Sequence, residues 1–227
     1  MFDLSGKTAI VTGAASGMGL LFSQNFAELG GNVVLCDVNE KAVNEKAAEI
    51  NSKSKGNAIA MYCDVRDYQN VCLAVDKAKE IFKTIDIVAN FAGGTAVRMQ
   101  NVDKNVCPEF PDVPIDVYDW GIINNAGMQG TPEDIDVNLK GPFYFAHAAS
   151  KIMRRQKSGL IINIGSITGQ EGDGYGIDYP TAKAGLMFGL TKSIAQFGSK
   201  HNIRCVCVSP GPVLTREAMA NMKTWRQ

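Results

Sequence analysis

Six short runs of strand-forming apolar residues recur along the chain, and helix-spaced segments stand between most of them. The runs are KTAIVTG (7–13), NVVLCD (32–37), NAIAMYCD (57–64), TIDIVAN (84–90), GLIINIGS (159–166) and NIRCVCVSP (202–210). After the first run, Met18, Leu21, Phe22, Phe26 and Leu29 fall at helical spacing. Ala42, Val43, Ala47 and Ile50 do the same over 39–50, and further helical segments are expected over 67–82 and about 179–200. This alternation predicts an α/β fold with a parallel sheet covered by helices on both faces. Right-handed crossovers make such a sheet doubly wound. The chain of 227 residues suits a single domain over 1–227.

The first turn carries the clearest ligand signal. TGAASGMG (12–19) follows the first strand and opens the first helix. Gly13 permits the tight turn, while Gly17 and Gly19 let backbone approach a pyrophosphate and let helix pack close to strand. The free N–H groups and positive dipole end of the helix favour that anion. A glycine-rich turn without ligand is the bland alternative. Asp37 ends the second strand, where a carboxylate accepts hydrogen bonds from ribose hydroxyls and repels a 2′-phosphate. No Arg or Lys occurs from Gly13 to Val38, so NAD is expected in preference to NADP. Asp64, at the end of the third strand, is placed to meet the adenine, or equally to cap the next helix.

The reacting end is expected in SITGQEGDGYGIDYPTAK (166–183). Tyr179 and Lys183 lie four apart, on one face of a helix. A phenol titrates near ~10 and is a poor base at neutral pH. A neighbouring ammonium stabilises the phenolate and lowers that value. Ser166 ends the fifth strand, at the carboxyl edge where such sheets bind ligands. Pro142 stands four residues after Asn138 and has no N–H, so in a helix it leaves the Asn138 carbonyl free to hold a water. Such a water would link Lys183 to solvent. A hydrated helix kink is the alternative.

Together these elements resemble the short-chain dehydrogenase/reductase family. The resemblance rests on TGAASGMG, Asp37, CDV (63–65), NFAG (90–93), VNLKG (137–141), Ser166, YPTAK (179–183) and SPGPVLT (209–215), in the family's order. It implies a Rossmann-type fold and a catalytic set of Asn138, Ser166, Tyr179 and Lys183. Tyr179 is then the acid/base, Ser166 holds the substrate oxygen, and Lys183 also binds the nicotinamide ribose. Cofactor contacts are implied at Gly13, Ser16, Gly17, Met18, Gly19, Asp37, Asp64, Val65, Asn90, Ala92, Gly93, Pro210, Gly211, Val213 and Thr215, besides Tyr179 and Lys183. The implied reaction is hydride transfer between NAD(H) and a secondary alcohol or ketone. A non-catalytic dinucleotide-binding or regulatory protein is the alternative. A sugar-nucleotide enzyme sharing the Tyr/Lys spacing fits less well, because no substantial C-terminal substrate domain is evident.

Two departures from the family pattern stand out. IVANFAGG (87–94) has a near copy in IINNAGMQG (122–130). The first copy continues the strand–helix rhythm, so 87–93 is expected to be the sheet strand and cofactor turn. The second follows a proline-rich stretch and precedes TPED (131–134), where Thr131 suits an N-cap and Pro132 a first helical residue. Residues 95–130 are then an enlarged excursion beside the site. The reversed assignment would leave too little chain before Asn138 for the usual helix. Phe110, Tyr118, Trp120, Met128 and Tyr175 line an apolar pocket or pack the excursion. At the other end only 16 residues follow Gly211, so the usual last strand is expected to be lacking.

Composition sets the remaining limits. The 23 basic and 23 acidic residues cancel, giving no global field for nucleic acid or an anionic membrane. MRRQK (153–157) is a local basic patch or a solvated helix end. No apolar run approaches a membrane span, and the N-terminus lacks the pattern of a secretory signal. Six cysteines (36, 63, 72, 107, 205, 207) without C-x-x-C spacing, and only His147 and His201, argue for core thiols and against a metal site. Cys205 and Cys207 alternate onto one sheet face. A cytoplasmic protein acting on a small molecule is expected, homo-oligomeric if the C-terminal region is complete.

Overall fold

The computed structural model describes residues 2–94, 132–172, 178–211 and 213. Six parallel strands form one sheet: β1 (Thr8–Thr12), β2 (Asn32–Asp37), β3 (Ala58–Tyr62), β4 (Ile87–Asn90), β5 (Gly159–Ile164) and β6 (Ile203–Val208), in the order β3-β2-β1-β4-β5-β6. Order reverses between β1 and β4, which creates the crevice where sheets of this kind take ligands. β4 pairs with β1 through Thr12↔Asn90 and with β5 through Asn90↔Asn163. The first NAG-like copy is therefore the sheet strand, as expected. The second copy, the excursion 95–130 and the aromatic candidates there, along with Thr131, Tyr175 and Thr215, lie outside the described residues.

Alternation along the strands divides the core in two. Ile10, Val34, Val88 and Ile161 face α3 (Tyr68–Phe82) and α5 (Gly141–Gln156), around fully buried Phe145 and Met153. Ala9, Val11, Val33, Leu35 and Ala89 face α1 (Gly17–Glu28) and α2 (Glu40–Lys53), against Phe26, Val43 and Ile50. A period of two along β1, β2 and β4 serves both faces, because both are covered there. In β6 the alternation buries Cys205 and half-buries Cys207 while leaving Val206 and Val208 exposed. Burial pushes the Cys205 thiol up to about 12, so it behaves as a small core residue. Cys36, Cys63, Cys72, Cys205 and Cys207 are all free. Among the described residues no helix is long and apolar enough to cross a membrane, and no group of His, Cys, Asp and Glu could hold a metal.

Two helices depart from regular geometry beside the crevice. A π-helical turn over Asp136–Lys140 joins α4 (Pro132–Ile135) to α5, with Gly141 N–H donating to the Asp136 carbonyl. Pro142 offers no N–H to the Asn138 carbonyl, so the regular ladder cannot run through this point. The helix expected over 179–200 is divided into α7 (Asp178–Ala184), a π-helical stretch Gly185–Leu190 and α8 (Thr191–Ser199). Thr191 Oγ1 donates to the Leu186 carbonyl, five residues back, at 2.7 Å. Such insertions concentrate at functional sites because they re-aim the side chains around them.

Candidate active site

The glycine turn closes as its residues dictate. Gly13 has φ +64° and Gly17 φ +56°, values that disfavour any side chain. A Cβ at Gly19 would run into the Gly13 carbonyl oxygen, so α1 can approach β1 only with glycine there. Ser16 extends into α1 without a side-chain cap, and the first turn of that helix holds no acidic residue. Its N–H groups are thus open to an anion.

A cavity of about 670 Å³ opens over this turn, lined by Gly13, Ser16, Gly17, Met18 and Gly19. Asp37, Asp64, Val65, Ala92 and Gly93 complete the wall on the β2, β3 and β4 sides. Asp37 is fixed by two backbone donors, Ala15 N–H at 3.0 Å and Asn39 N–H at 2.9 Å. Each of its oxygens keeps a lone pair for a ribose hydroxyl. Asp64 is gripped by Arg66, whose Nε and NH2 reach it at 3.0 and 2.7 Å. That contact holds the Asp64 carboxyl below its ordinary range. Arg66 also lines the cavity, and its position two residues past the strand-end aspartate gave no signal in the sequence. An uncapped helix start, two left-handed glycines and a fixed carboxylate at the next strand end fit a dinucleotide.

Asn90 does not line the cavity. Its Nδ2 donates to Asn163 Oδ1 at 2.8 Å, and Asn163 Nδ2 donates to Thr191 Oγ1 at 2.9 Å. This buried ladder ties β4 to β5 and α8 beneath the site. The turn after Asn90 carries the contact with the reacting end. Asn138, fully buried in the first π turn, pairs with the Gly94 backbone in both directions: Nδ2 donates to the Gly94 carbonyl at 2.8 Å, and Oδ1 accepts from Gly94 N–H at 3.1 Å. A third bond, to the Asp134 carbonyl at 2.9 Å, fixes the amide.

Lys183 reaches the same turn. A Cβ on Gly93 would lie 2.6 Å from Asn138 Oδ1 and 3.3 Å from Lys183 Nζ. Because Asn138 is held by three bonds, it cannot give way cheaply. Gly93→Ala is expected to destabilise the protein by about 1–3 kcal/mol, the range for overpacking. Urea unfolding of the two proteins measures it, and an unchanged midpoint would show that the turn is looser than this.

Lys183 is 4 % exposed, donates to the Ile164 carbonyl at 2.8 Å, and sits 5.4 Å from the centre of the Tyr179 ring. Burial pushes its ammonium down to about 8, partly countered by nearby Cys207. Ser166 follows the end of β5, and α6 (Thr168–Glu171) then turns back on α7, where Gly169 comes against the Lys183–Ala184 backbone. Ile167 N–H donates to the Pro210 carbonyl at 3.2 Å, which docks the Pro210–Gly211 turn beside Ser166. Asn138 and Lys183 thus meet at the carboxyl ends of β4 and β5, the Tyr179 ring lies beside Lys183, and Ser166 stands just before the segment packed against α7. Val213 is exposed.

The family model for short chain dehydrogenases matches residues 7–113 and 115–226. The 7alpha-hydroxysteroid dehydrogenase of Bacteroides fragilis is 31% identical over 216 residues, covering 95% of this chain and 75% of that protein. A crystal structure of NAD+-bound xylitol dehydrogenase superposes with a TM-score of 0.73 at 28% identity, over 92% of this chain and 71% of the other. L-sorbose reductase from Gluconobacter frateurii, complexed with NADPH and L-sorbose, gives a TM-score of 0.77 at 25% identity, over 98% and 76%.

Proposed function

The chain belongs to the short chain dehydrogenase family of oxidoreductases, which bind a nicotinamide dinucleotide, and from that premise we propose that it interconverts a secondary alcohol and a ketone with NAD(H), Tyr179 moving the hydroxyl proton. The observation that carries this reading is the buried Lys183 ammonium beside the Tyr179 ring, on the turn that Asn138 braces. Two unit charges at roughly 5 Å, at an effective dielectric of about 20, interact by about 3 kcal/mol. Bringing a phenol from ~10 to near neutrality needs about 4 kcal/mol. Lys183, 5.4 Å from the ring centre, acts in the direction such a base needs.

The glycine turn and the start of α1 hold the pyrophosphate, Asp37 the adenosine ribose, and Lys183 the nicotinamide ribose. When bound, the dinucleotide supplies the hydride acceptor or donor. Tyr179 Oη takes the substrate hydroxyl proton on oxidation and returns it on reduction. Ser166 Oγ holds the substrate oxygen in register with that phenol. In this reading the Asn138 carbonyl, which Pro142 cannot engage, holds a water through which Lys183 exchanges protons with solvent. The test is turnover of NADH and NAD+ against a panel containing a hydroxysteroid, a pentitol and a simple cyclic ketone. A chain that binds NADH but turns over none of them would favour a non-catalytic binding protein.

Preference for NAD over NADP is inferred from Asp37, held at the end of β2 by Ala15 and Asn39. Arg66, a cation on the same wall, has its guanidinium committed to Asp64. Asp37→Ala is expected to narrow the ratio of NADH to NADPH efficiency about 10-fold or more, since one charge-assisted hydrogen bond to ribose is worth about 1.5–3 kcal/mol. Equal efficiency with both cofactors in the unmutated enzyme would overturn this assignment.

A further inference from the structure

We propose that Thr168 is a positioning residue that fixes the direction of the Ser166 hydroxyl proton, an inference that rests on the site assignment above. A serine hydroxyl has one proton to donate and two lone pairs. Thr168 approaches Ser166 Oγ twice: its backbone N–H donates at 3.3 Å and its own hydroxyl donates at 3.0 Å. These two bonds engage both lone pairs. The Ser166 proton is then the one part of that hydroxyl left to offer, and it points away from Thr168.

This polarity suits the reaction. The substrate oxygen gains negative charge as hydride reaches a carbonyl carbon, or as an alcohol loses its proton. A pre-aimed donor is worth most where charge develops. A serine free to rotate would spend part of its time presenting a lone pair to that oxygen, which is repulsive. The backbone bond alone would form a local turn of the kind serine makes at helix starts. It comes with any residue at 168. The second bond needs a hydroxyl at that position, and valine, with the same shape, would remove it.

The experiment uses the full chain, NAD+ and the panel alcohol that the unmutated enzyme oxidises fastest. Thr168→Val is expected to lower kcat about 3- to 10-fold, the size of one net hydrogen bond, with KM changed less than 2-fold. Thr168→Ser is expected to restore kcat to within 2-fold. In a Ser166→Ala background Thr168→Val should have no further effect, because its target is gone. NADH affinity by fluorescence titration and the thermal midpoint should stay unchanged in Thr168→Val. A silent Thr168→Val in an active enzyme overturns this inference alone. An equal loss in the Ser166→Ala background also overturns it, since Thr168 would then be structural. No turnover by the unmutated chain overturns the site assignment and this inference with it.

Discussion

Replacing Tyr179 with phenylalanine is expected to lower turnover at least about 100-fold, the low end of general acid–base contributions, while NADH affinity changes little. The ring is half-buried on α7, and the substitution keeps its contact with Lys183. What it removes is the phenolic hydroxyl and, on the proposed mechanism, the proton that is transferred. The proposed anchors of the cofactor are the glycine turn and Asp37, which line the 670 Å³ cavity, and Tyr179 does not line it. Binding and chemistry should therefore separate in this variant. Fluorescence titration with NADH and steady-state kinetics on the same preparation measure the two. Near-normal turnover would mean that another group donates the proton, and the catalytic set would have to be redrawn. The Ser166→Ala protein is the useful companion, because on the proposed mechanism it loses a hydrogen bond to the substrate oxygen and keeps the proton donor.

The sheet was legible because its strands are short apolar runs, and in β1, β2 and β4 both faces need burying. Asn90 shows where that reasoning stops. Its place at the end of β4 follows from the run, but its direction depends on Asn163, 73 residues away and opposite it in the register. The side chain turns into a buried ladder and not onto the cavity. The helix after Asp178 was legible from its spacing, yet the π stretch at Gly185–Leu190 was not. It depends on Thr191 bonding five residues back while also accepting from Asn163, a tertiary arrangement that no local pattern encodes. Asn138 was singled out for its carbonyl, whereas the structure gives its side chain an equal part, bracing Gly94 from both sides. Thr168 and Arg66 escaped for a simpler reason. Each acts on a residue two places before it in a non-repetitive turn, where hydrophobic periodicity carries no information. The Tyr179–Lys183 spacing, by contrast, is local and helical, and it predicted the contact found.

Lys183→Met is expected to lower turnover at pH 7 by about 100-fold and to change how stability depends on pH. On the proposed mechanism the variant's phenol has no cation beside it, so its activity should climb steeply above pH 8 as the phenolate forms unaided. The stability effect follows from burial. In the folded chain Lys183 titrates at about 8, against 10.5 for an ordinary lysine, and desolvation is the main cause. Between those two values the unfolded chain carries a proton that the native state has released. Stability rises with pH wherever the unfolded state binds more protons. The wild-type protein should therefore gain up to roughly 3 kcal/mol from this one group as pH moves from 8 to 10.5, a gain the methionine variant lacks. Below pH 8 both states are protonated, and the buried ammonium weighs on the native state at a constant level. Methionine also leaves the Ile164 carbonyl without its 2.8 Å donor, an offset that is independent of pH. The measurement is urea unfolding of both proteins at pH 7, 8, 9 and 10.5. The wild-type curve should rise relative to the variant only in the upper part of that range. Parallel curves would mean that the lysine keeps its ordinary proton affinity when folded, and that its role at Tyr179 is not set by burial.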